Sequence, residues 1–256
     1  MTDAGAPRPG YDAIAHLYDV DMARNMPFDD VGLYARLCAA SPGPALELGC
    51  GNGRITLDLL ARGVDVTGVD GAARMLAALV DKARSRGLPE PRVCRMDVRA
   101  LGFKPGFAIV LCPYSLVTYM TADTDAPAML REARRVLAPG GVVVVDAFVP
   151  RPAVTSGEYT QDYARPYAGG TLVRSKRVTA LSPRVNRIER RYDALAADGS
   201  LQERVETREE IRTFTPSEVL ALLDGAGLRV RSTWWDYASN AARGDARFFT
   251  AVAEAR

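Results

Sequence analysis

Glu47-Leu48-Gly49-Cys50-Gly51-Asn52-Gly53-Arg54 stands between a short apolar strand, Ala45–Gly49, and a helical stretch, Arg54–Arg62. Glycine is needed where the backbone turns sharply and where a ligand must approach the main chain closely. The junction of a buried strand with a following helix is also where α/β sheets bind ligands. A dinucleotide fingerprint, GxGxxG opening at Gly49, requires glycine at position 54, and that position is Arg54. Here the glycines fall at 49, 51 and 53, behind the acidic Glu47. Asp70 ends the next strand, 21 residues after Gly49, where a carboxylate can accept hydrogen bonds from both hydroxyls of a ribose. Together these describe a nucleoside site without a pyrophosphate clamp.

The alternation of strand and helix extends on both sides of this loop. Asp30–Ala40 reads as a helix ended by Ser41-Pro42-Gly43-Pro44, and residues 1–10 as a disordered lead-in. Val64–Asp70 is a strand and Ala72–Arg86 a helix, with Ala72, Met75, Leu76, Leu79, Val80 and Ala83 on one face. Arg92–Met96 and Phe107–Cys112 are further strands. Ala126–Leu137 is an amphipathic helix broken at Pro139-Gly140-Gly141, and Val142–Phe148 is an unbroken apolar run of the kind covered on both faces. This predicts an α/β protein with a doubly wound, mostly parallel sheet.

The pattern then changes for the 65 residues from Val149 to Thr213. Leu172–Leu181, Val185–Ala194 and Leu201–Thr213 read as strands, separated by the turn signals Ser182-Pro183 and Asp198-Gly199. An antiparallel β insertion over 149–213 is expected, between a core of residues 1–148 and a closing unit of residues 214–256. Its alternating charges, as in Arg187-Ile188-Glu189-Arg190-Arg191-Tyr192, fit a sheet with one wet face. Thr215-Pro216-Ser217-Glu218 forms a capping box with proline at the first helical position. The helix it opens stops at Gly225/Gly227, and Val230–Asp236 and Arg247–Ala253 are the last strands.

Composition narrows the function classes. With 256 residues, 48% hydrophobic and 25% charged, the chain is neither collagen-like, disordered nor a disulfide scaffold. A net charge of +2 supplies no excess field for a phosphate backbone, so a nucleic-acid partner is not expected. Met1 to Gly10 lacks the apolar core of a signal peptide, and no stretch approaches the ~18 apolar residues of a membrane span. A soluble, cytoplasmic protein is the expectation. Cys38, Cys50, Cys94 and Cys112 are scattered without a CxxC pair, so buried thiols are expected and a metal site is not.

Four segments, in order, carry a resemblance: ELGCGNGR from Glu47, VTGVDGAARML from Val66, RMDVRAL from Arg95, and REARRVLAPGGVVVVDAF from Arg131. Over Tyr11–Phe148, and again over Thr215–Ala253, the chain resembles the class I S-adenosylmethionine-dependent methyltransferases. The resemblance implies a seven-stranded Rossmann-like sheet and S-adenosylmethionine as cofactor, with S-adenosylhomocysteine as product. It implies that Glu47, Gly49, Cys50 and Gly51 form the loop that holds the methionine part. Asp70 would bind the ribose hydroxyls, and Met75 would pack near adenine, with Gly71 and Ala72 leaving room. Asp97 and Val98 would meet the adenine edge, and Cys112 would lie beside the sulfonium. Tyr11, Tyr18 and Arg24 resemble an N-terminal segment that closes over the cofactor, where Arg24 would pair its carboxylate. Structural alternatives stand beside these roles: a helix cap for Asp97 and core packing for Met75.

Methyl transfer from a sulfonium is an in-line displacement that a protein assists mainly by alignment and by excluding water. A hydroxyl acceptor needs a nearby base, and His16 is the one histidine. Tyr114 and Asp146, at the carboxyl ends of strands, are the other candidate catalytic residues. Tyr119, Tyr159, Tyr163, Tyr167, Trp234 and Tyr237 suggest a pocket for a ring or a cation. The β insertion resembles those of small-molecule methyltransferases, such as the N-methyltransferases of antibiotic deoxyaminosugars, where it covers the substrate or builds a dimer. A small-molecule amine in bacterial secondary metabolism is the expected acceptor, because a neutral amine needs little base. An aromatic carbon or hydroxyl acceptor is the alternative, as is a cofactor-binding protein that transfers no methyl.

Overall fold

The computed structural model describes residues 9–22, 26–151, 157–240 and 244–256. Of the expected lead-in, residues 1–8 lie outside the described residues, and so does Arg24. Two short helices, α1 (Pro9–Ala13) and α2 (Tyr18–Met22), precede α3 (Asp30–Ala40). The core then runs β1 (Ala45–Leu48), α4 (Thr56–Ala61), β2 (Val66–Asp70), α5 (Ala73–Ser85), β3 (Arg92–Arg95), β4 (Phe107–Cys112), α6 (Asp125–Arg135) and β5 (Leu137–Phe148). A 3-10 turn, Leu116–Tyr119, lies between β4 and α6. The last elements are α7 (Pro216–Gly225), β10 (Leu228–Trp235) and β11 (Phe248–Ala255).

The sheet is ordered β10-β11-β5-β4-β1-β2-β3. β1 to β5 pair in parallel, and β11 runs antiparallel to both β5 and β10. The chain leaves β1 towards β2 and β3, then returns to place β4 on the other side of β1. The crevice at the carboxyl end of β1 is therefore the switch point where such sheets bind ligands. Val142 to Val145 of β5 are buried on both faces, between a cluster holding Met129, Leu130 and Leu223 and one holding Leu33, Tyr34 and Leu59. β5 starts at Leu137, not after the glycines: Gly141 stands so close to the carbonyls of Phe107 and Ala138 that a Cβ would meet them at 2.8 and 3.0 Å. The capping box of α7 is formed as its sequence predicts, with Glu218 N donating to Thr215 Oγ1 at 3.2 Å and Thr215 N to Glu218 Oε2 at 2.8 Å.

Between β5 and α7 lies a separate antiparallel sheet of β6 (Thr160–Tyr167), β7 (Gly170–Ala180), β8 (Val185–Leu195) and β9 (Leu201–Arg212), in that order. It has a strand more than the sequence pattern indicates. β6 carries Pro166 and no apolar alternation, which is tolerated at a sheet edge, and Ala168-Gly169, both at positive φ (47° and 79°), turn it into β7. On the wet face of this sheet, Arg177 pairs with Glu189, Arg187 with Glu210, and Arg191 with Glu206. The other face packs Leu172, Tyr192 and Ala194 on Ile14 and Leu17, so the insertion and the N-terminal segment share a small core. Among the described residues no helix is long and apolar enough to cross a membrane.

Candidate active site

The glycine loop leaves β1 at the switch point, and Asp70 at the end of β2 holds it. Gly51 N and Ala72 N each donate to one Asp70 oxygen at 2.8 Å. Each oxygen keeps acceptor capacity for one hydroxyl of a ribose. Burial raises the Asp70 carboxyl, against the pull of these amides. Gly51 has φ +54°, and a Cβ there would meet nothing within 4 Å, so its main chain faces open space. The open backbone and the half-satisfied carboxylate fit the ribose and methionine parts of S-adenosylmethionine. Gly53, by contrast, is a packing glycine: its Cβ would stand 2.6 Å from Leu79 and 2.8 Å from Leu57.

Glu47 is buried under the loop, where it accepts a hydrogen bond from the Thr56 hydroxyl. Burial pushes its carboxyl up to about 8, with the Thr56 bond acting the other way. A carboxyl with a higher pKa folded than unfolded takes up a proton on folding. Its contribution to stability is therefore complete below its ordinary 4.5 and is lost as pH rises through about 8. Denaturant titrations from about pH 5 to about pH 9 are expected to show this fall, and Glu47→Gln to remove it. A slope that is unchanged in the variant would overturn the assignment.

The remaining expected cofactor residues divide by what their side chains do. Met75 and Cys112 are buried, and Val98 nearly so. Gly71 has open space where a Cβ would be. The Cys50 thiol turns away under the loop towards Gly68, whose Cβ would lie 2.8 Å from its sulfur, so Cys50 offers the cofactor only backbone. The Asp97 carboxylate is on the surface and grips Arg99 through Nε at 3.0 Å and Nη2 at 2.6 Å, while Arg99 N caps onto Oδ1 at 2.9 Å. Asp97 thus caps a turn; no helix begins here, so the helix-cap alternative is not formed.

The N-terminal segment closes the crevice from outside. Asp12 accepts from Arg74 N at the start of α5 (2.8 Å), and Asn52 of the glycine loop donates to Asp19 (2.9 Å). These docks set Tyr11 between Tyr18 and Tyr119, with ring centroids 6.0 Å apart in both pairs and the Tyr11 and Tyr119 hydroxyls hydrogen-bonded. Behind them, Arg190 of β8 pairs with Glu209 of β9. Glu209 is 3% exposed, and its Oε1 has no hydrogen-bond partner among the described residues. On the other side, Arg54 holds Asp30 through two bonds (2.9 and 2.6 Å), and its guanidinium lies 5.3 Å from the centroid of the Tyr114 ring.

Of the three expected catalytic residues, only Tyr114 lines this crevice with its side chain. His16 is a correction. Its side chain is 45% exposed and its Nε2 lies 3.1 Å from Glu203 on an exposed stretch of β9, so a base role is given up. Asp146 is a correction of a different kind. It is fully buried and accepts from the hydroxyls of Tyr34 and Tyr237 and from the backbone N–H of Tyr114 and Ser115. With its oxygens committed, Asp146 positions the loop after β4 and has no role as a free base. Tyr163 is spent on Asp21 (2.7 Å), and Tyr159 lies under Arg191 on the insertion (4.3 Å). Tyr167 and Trp234 pack at the margins of apolar clusters. Glu209, Arg190, Arg54 and Tyr34 were not singled out by sequence pattern, since each is an unremarkable charge or aromatic along its element.

A seven-stranded sheet of this order, with an open glycine loop after β1 and a ribose-type carboxylate after β2, defines the class I S-adenosylmethionine-dependent methyltransferase fold. Residues 45–141 match the sequence family described as a methyltransferase domain. A demethylmenaquinone methyltransferase of Thermus thermophilus is 36% identical over 138 residues, 52% of this chain and 60% of that one. The first curated relatives are matched over only 52–60% of their own length. A dTDP-4-amino-2,3,4,6-tetradeoxy-D-glucose N,N-dimethyltransferase of Saccharopolyspora spinosa is 26% identical over 72% of this chain and 70% of its own. In fold, the CcbJ methyltransferase of Streptomyces caelestis superposes with a TM-score of 0.78 at 22% identity, covering 98% of this chain and 99% of that one.

Proposed function

We propose that the protein transfers the methyl group of S-adenosylmethionine to an amine nitrogen of a small metabolite. The observation that carries this reading is Glu209: a buried carboxylate with an unpartnered oxygen, beside the Tyr11 and Tyr119 hydroxyls. Arg190 pairs with the other oxygen of this carboxylate, and the buried oxygen left among aromatic rings favours a further N–H donor, because leaving it unsatisfied is costly. The relative from Saccharopolyspora spinosa, named as an amino-sugar N,N-dimethyltransferase, supports the same acceptor. Four free thiols, Cys38, Cys50, Cys94 and Cys112, agree with the cytoplasmic setting this reading includes.

When bound, the cofactor supplies an electrophilic methyl group on a sulfonium. Asp70 and the glycine-loop backbone hold it in register. Tyr11, Tyr18 and Tyr119, with half-buried rings, narrow the access of water to the crevice. Glu209 Oε1 accepts a hydrogen bond from the N–H of the incoming neutral amine and fixes the direction of its lone pair, which is the alignment such displacements need. As the N–C bond forms and the S–C bond breaks, the carboxylate faces the positive charge that develops on nitrogen. Arg190 holds the other Glu209 oxygen, so the carboxylate cannot swing away.

The test uses S-adenosylmethionine carrying a labelled methyl group, offered with matched amines, phenols and indoles, and products read by mass. Label on amines is the expected result. Label confined to phenols or indoles, or tight S-adenosylhomocysteine binding with no product from any class or from a native metabolite extract, would overturn it.

A further inference from the structure

The face of the insertion that carries Glu209 continues into a cavity. In the strand register, Lys176 and Thr207 flank Arg190, Val178 and Glu209 flank Ile188, and Ala180 and Ile211 flank Asn186. Residues directly opposite in a ladder share a face, so these line one surface. Where that surface passes the end of β5 and the 3-10 turn, it walls a cavity of about 360 Å³, within the size range of small-ligand pockets. Phe148, Val149, Val178, Ile188 and Ile211 make its apolar floor. Phe148 is 39% exposed, unusual for so large an apolar side chain here. Its ring centroid lies 5.8 Å from that of Tyr114, which joins the cavity to the crevice at the carboxyl ends of the strands.

The charged lining consists of Arg151, Lys176 and Arg212, and no carboxylate lines the cavity among the described residues. Lys176 meets Asp162 at 2.7 Å, and Arg212 Nη1 meets Asp123 at 2.5 Å, an acid whose side chain is 91% exposed. Among the described residues, Arg212 Nε is buried with no hydrogen-bond partner, and Arg151 Nη2 donates to the Asp245 carbonyl. Each cation therefore keeps donors for another acceptor. On this face Glu209 of β9 stands at the tyrosine end, and Lys176 of β7 lies two strand spacings away, on the order of 10 Å. Arg151 and Arg212 join Lys176 in lining the cavity.

We infer that this cavity holds an anionic group, phosphate or carboxylate, carried by the methyl acceptor on an apolar or ring-bearing body. The substrate class is then an amine with an anion about 10 Å from its nitrogen. This rests on the amine reading above, and the experiment separates the two. Phenyl phosphate, benzoate and phenol are titrated into the protein saturated with S-adenosylhomocysteine. At least one of the anions is expected to bind ten-fold or more tighter than phenol, roughly the value of a charge-assisted bond. Which anion binds tighter distinguishes a phosphate from a carboxylate. Lys176→Gln and Arg212→Gln are each expected to reduce anion binding about ten-fold and leave phenol and S-adenosylhomocysteine affinity unchanged. Arg212 also stacks on Phe214 (5.1 Å), so Lys176→Gln carries the test if the other variant folds poorly.

Phenol binding as tightly as both anions, or anion affinity unchanged in Lys176→Gln, would overturn the inference. Turnover gives the second arm, with glucosamine and glucosamine 6-phosphate as a matched pair. A lower KM for the phosphate, lost in Lys176→Gln, is expected. Equal KM values on both sugars would sink the anion site and leave the amine reading standing. Anion binding without methylation of any amine would do the reverse.

Discussion

Asp70→Ala is expected to weaken S-adenosylhomocysteine binding by about 1–3 kcal/mol, roughly 5- to 150-fold. Asp70 acts twice at this site. Its oxygens organise the loop by taking Gly51 N and Ala72 N, and they retain capacity for the two ribose hydroxyls. Alanine removes both functions, leaving two loop amides without a partner next to the ligand. Asp70→Asn separates them, because one amide oxygen can still serve one loop N–H while the paired acceptor for the ribose is gone. Its affinity is expected to fall between those of the parent and the alanine variant. Titration calorimetry measures the affinity, and a melting curve for each variant reports the loop's share. Parent-like affinity in Asp70→Ala would place the ribose elsewhere than the end of β2.

The parallel core is legible in the sequence because its physics is local. Val142 to Val145 read as a doubly buried strand from composition alone, and Met75, Leu76, Leu79 and Ala83 mark the buried face of α5 by their spacing. The glycines at 49, 51 and 53 and the carboxylate at 70 belong to the same short stretch of chain, so their relation is a matter of counting. The far wall of the site has no such signature. Arg190 and Glu209 alternate with other charges on β8 and β9, and only the docking of the N-terminal segment makes one face of that sheet dry. Tyr34 and Tyr237 reach Asp146 across 112 and 91 residues of sequence. A hydrogen bond of that span leaves no periodicity, so Asp146 reads as a free carboxylate until the tertiary contacts are known. His16 misleads for the opposite reason: it is the one histidine of the chain, and its rarity says nothing about where the turn between α1 and α2 points it.

Asp146→Ala is expected to destabilise the protein by about 2–5 kcal/mol, because two amides each lose their buried acceptor at about 1–3 kcal/mol apiece. In a chain of this size that corresponds to a melting temperature roughly 10 °C lower. Tyr114 N and Tyr237 Oη donate to Oδ2 at 2.9 Å, with Tyr34 Oη on the same oxygen and Ser115 N on Oδ1. The hydroxyls can turn to other acceptors, but the two amides cannot. Tyr114 and Ser115 sit at φ 51° and 58°, a left-handed conformation that non-glycine residues hold only when their surroundings impose it. Freed from Asp146, this pair is expected to relax, moving the Tyr114 ring off Phe148 and lowering turnover more than cofactor affinity. Burial pushes the Asp146 carboxyl up to about 6, against the four hydrogen bonds that favour its charged form. Because the folded pKa lies above the ordinary 3.8, this group's contribution is complete below 3.8 and declines as pH rises through about 6. The parent should therefore show a loss of stability across that window which the alanine variant lacks. A variant melting within about 2 °C of the parent, with the same pH slope, would mean that the loop after β4 is held by its packing and not by the carboxylate.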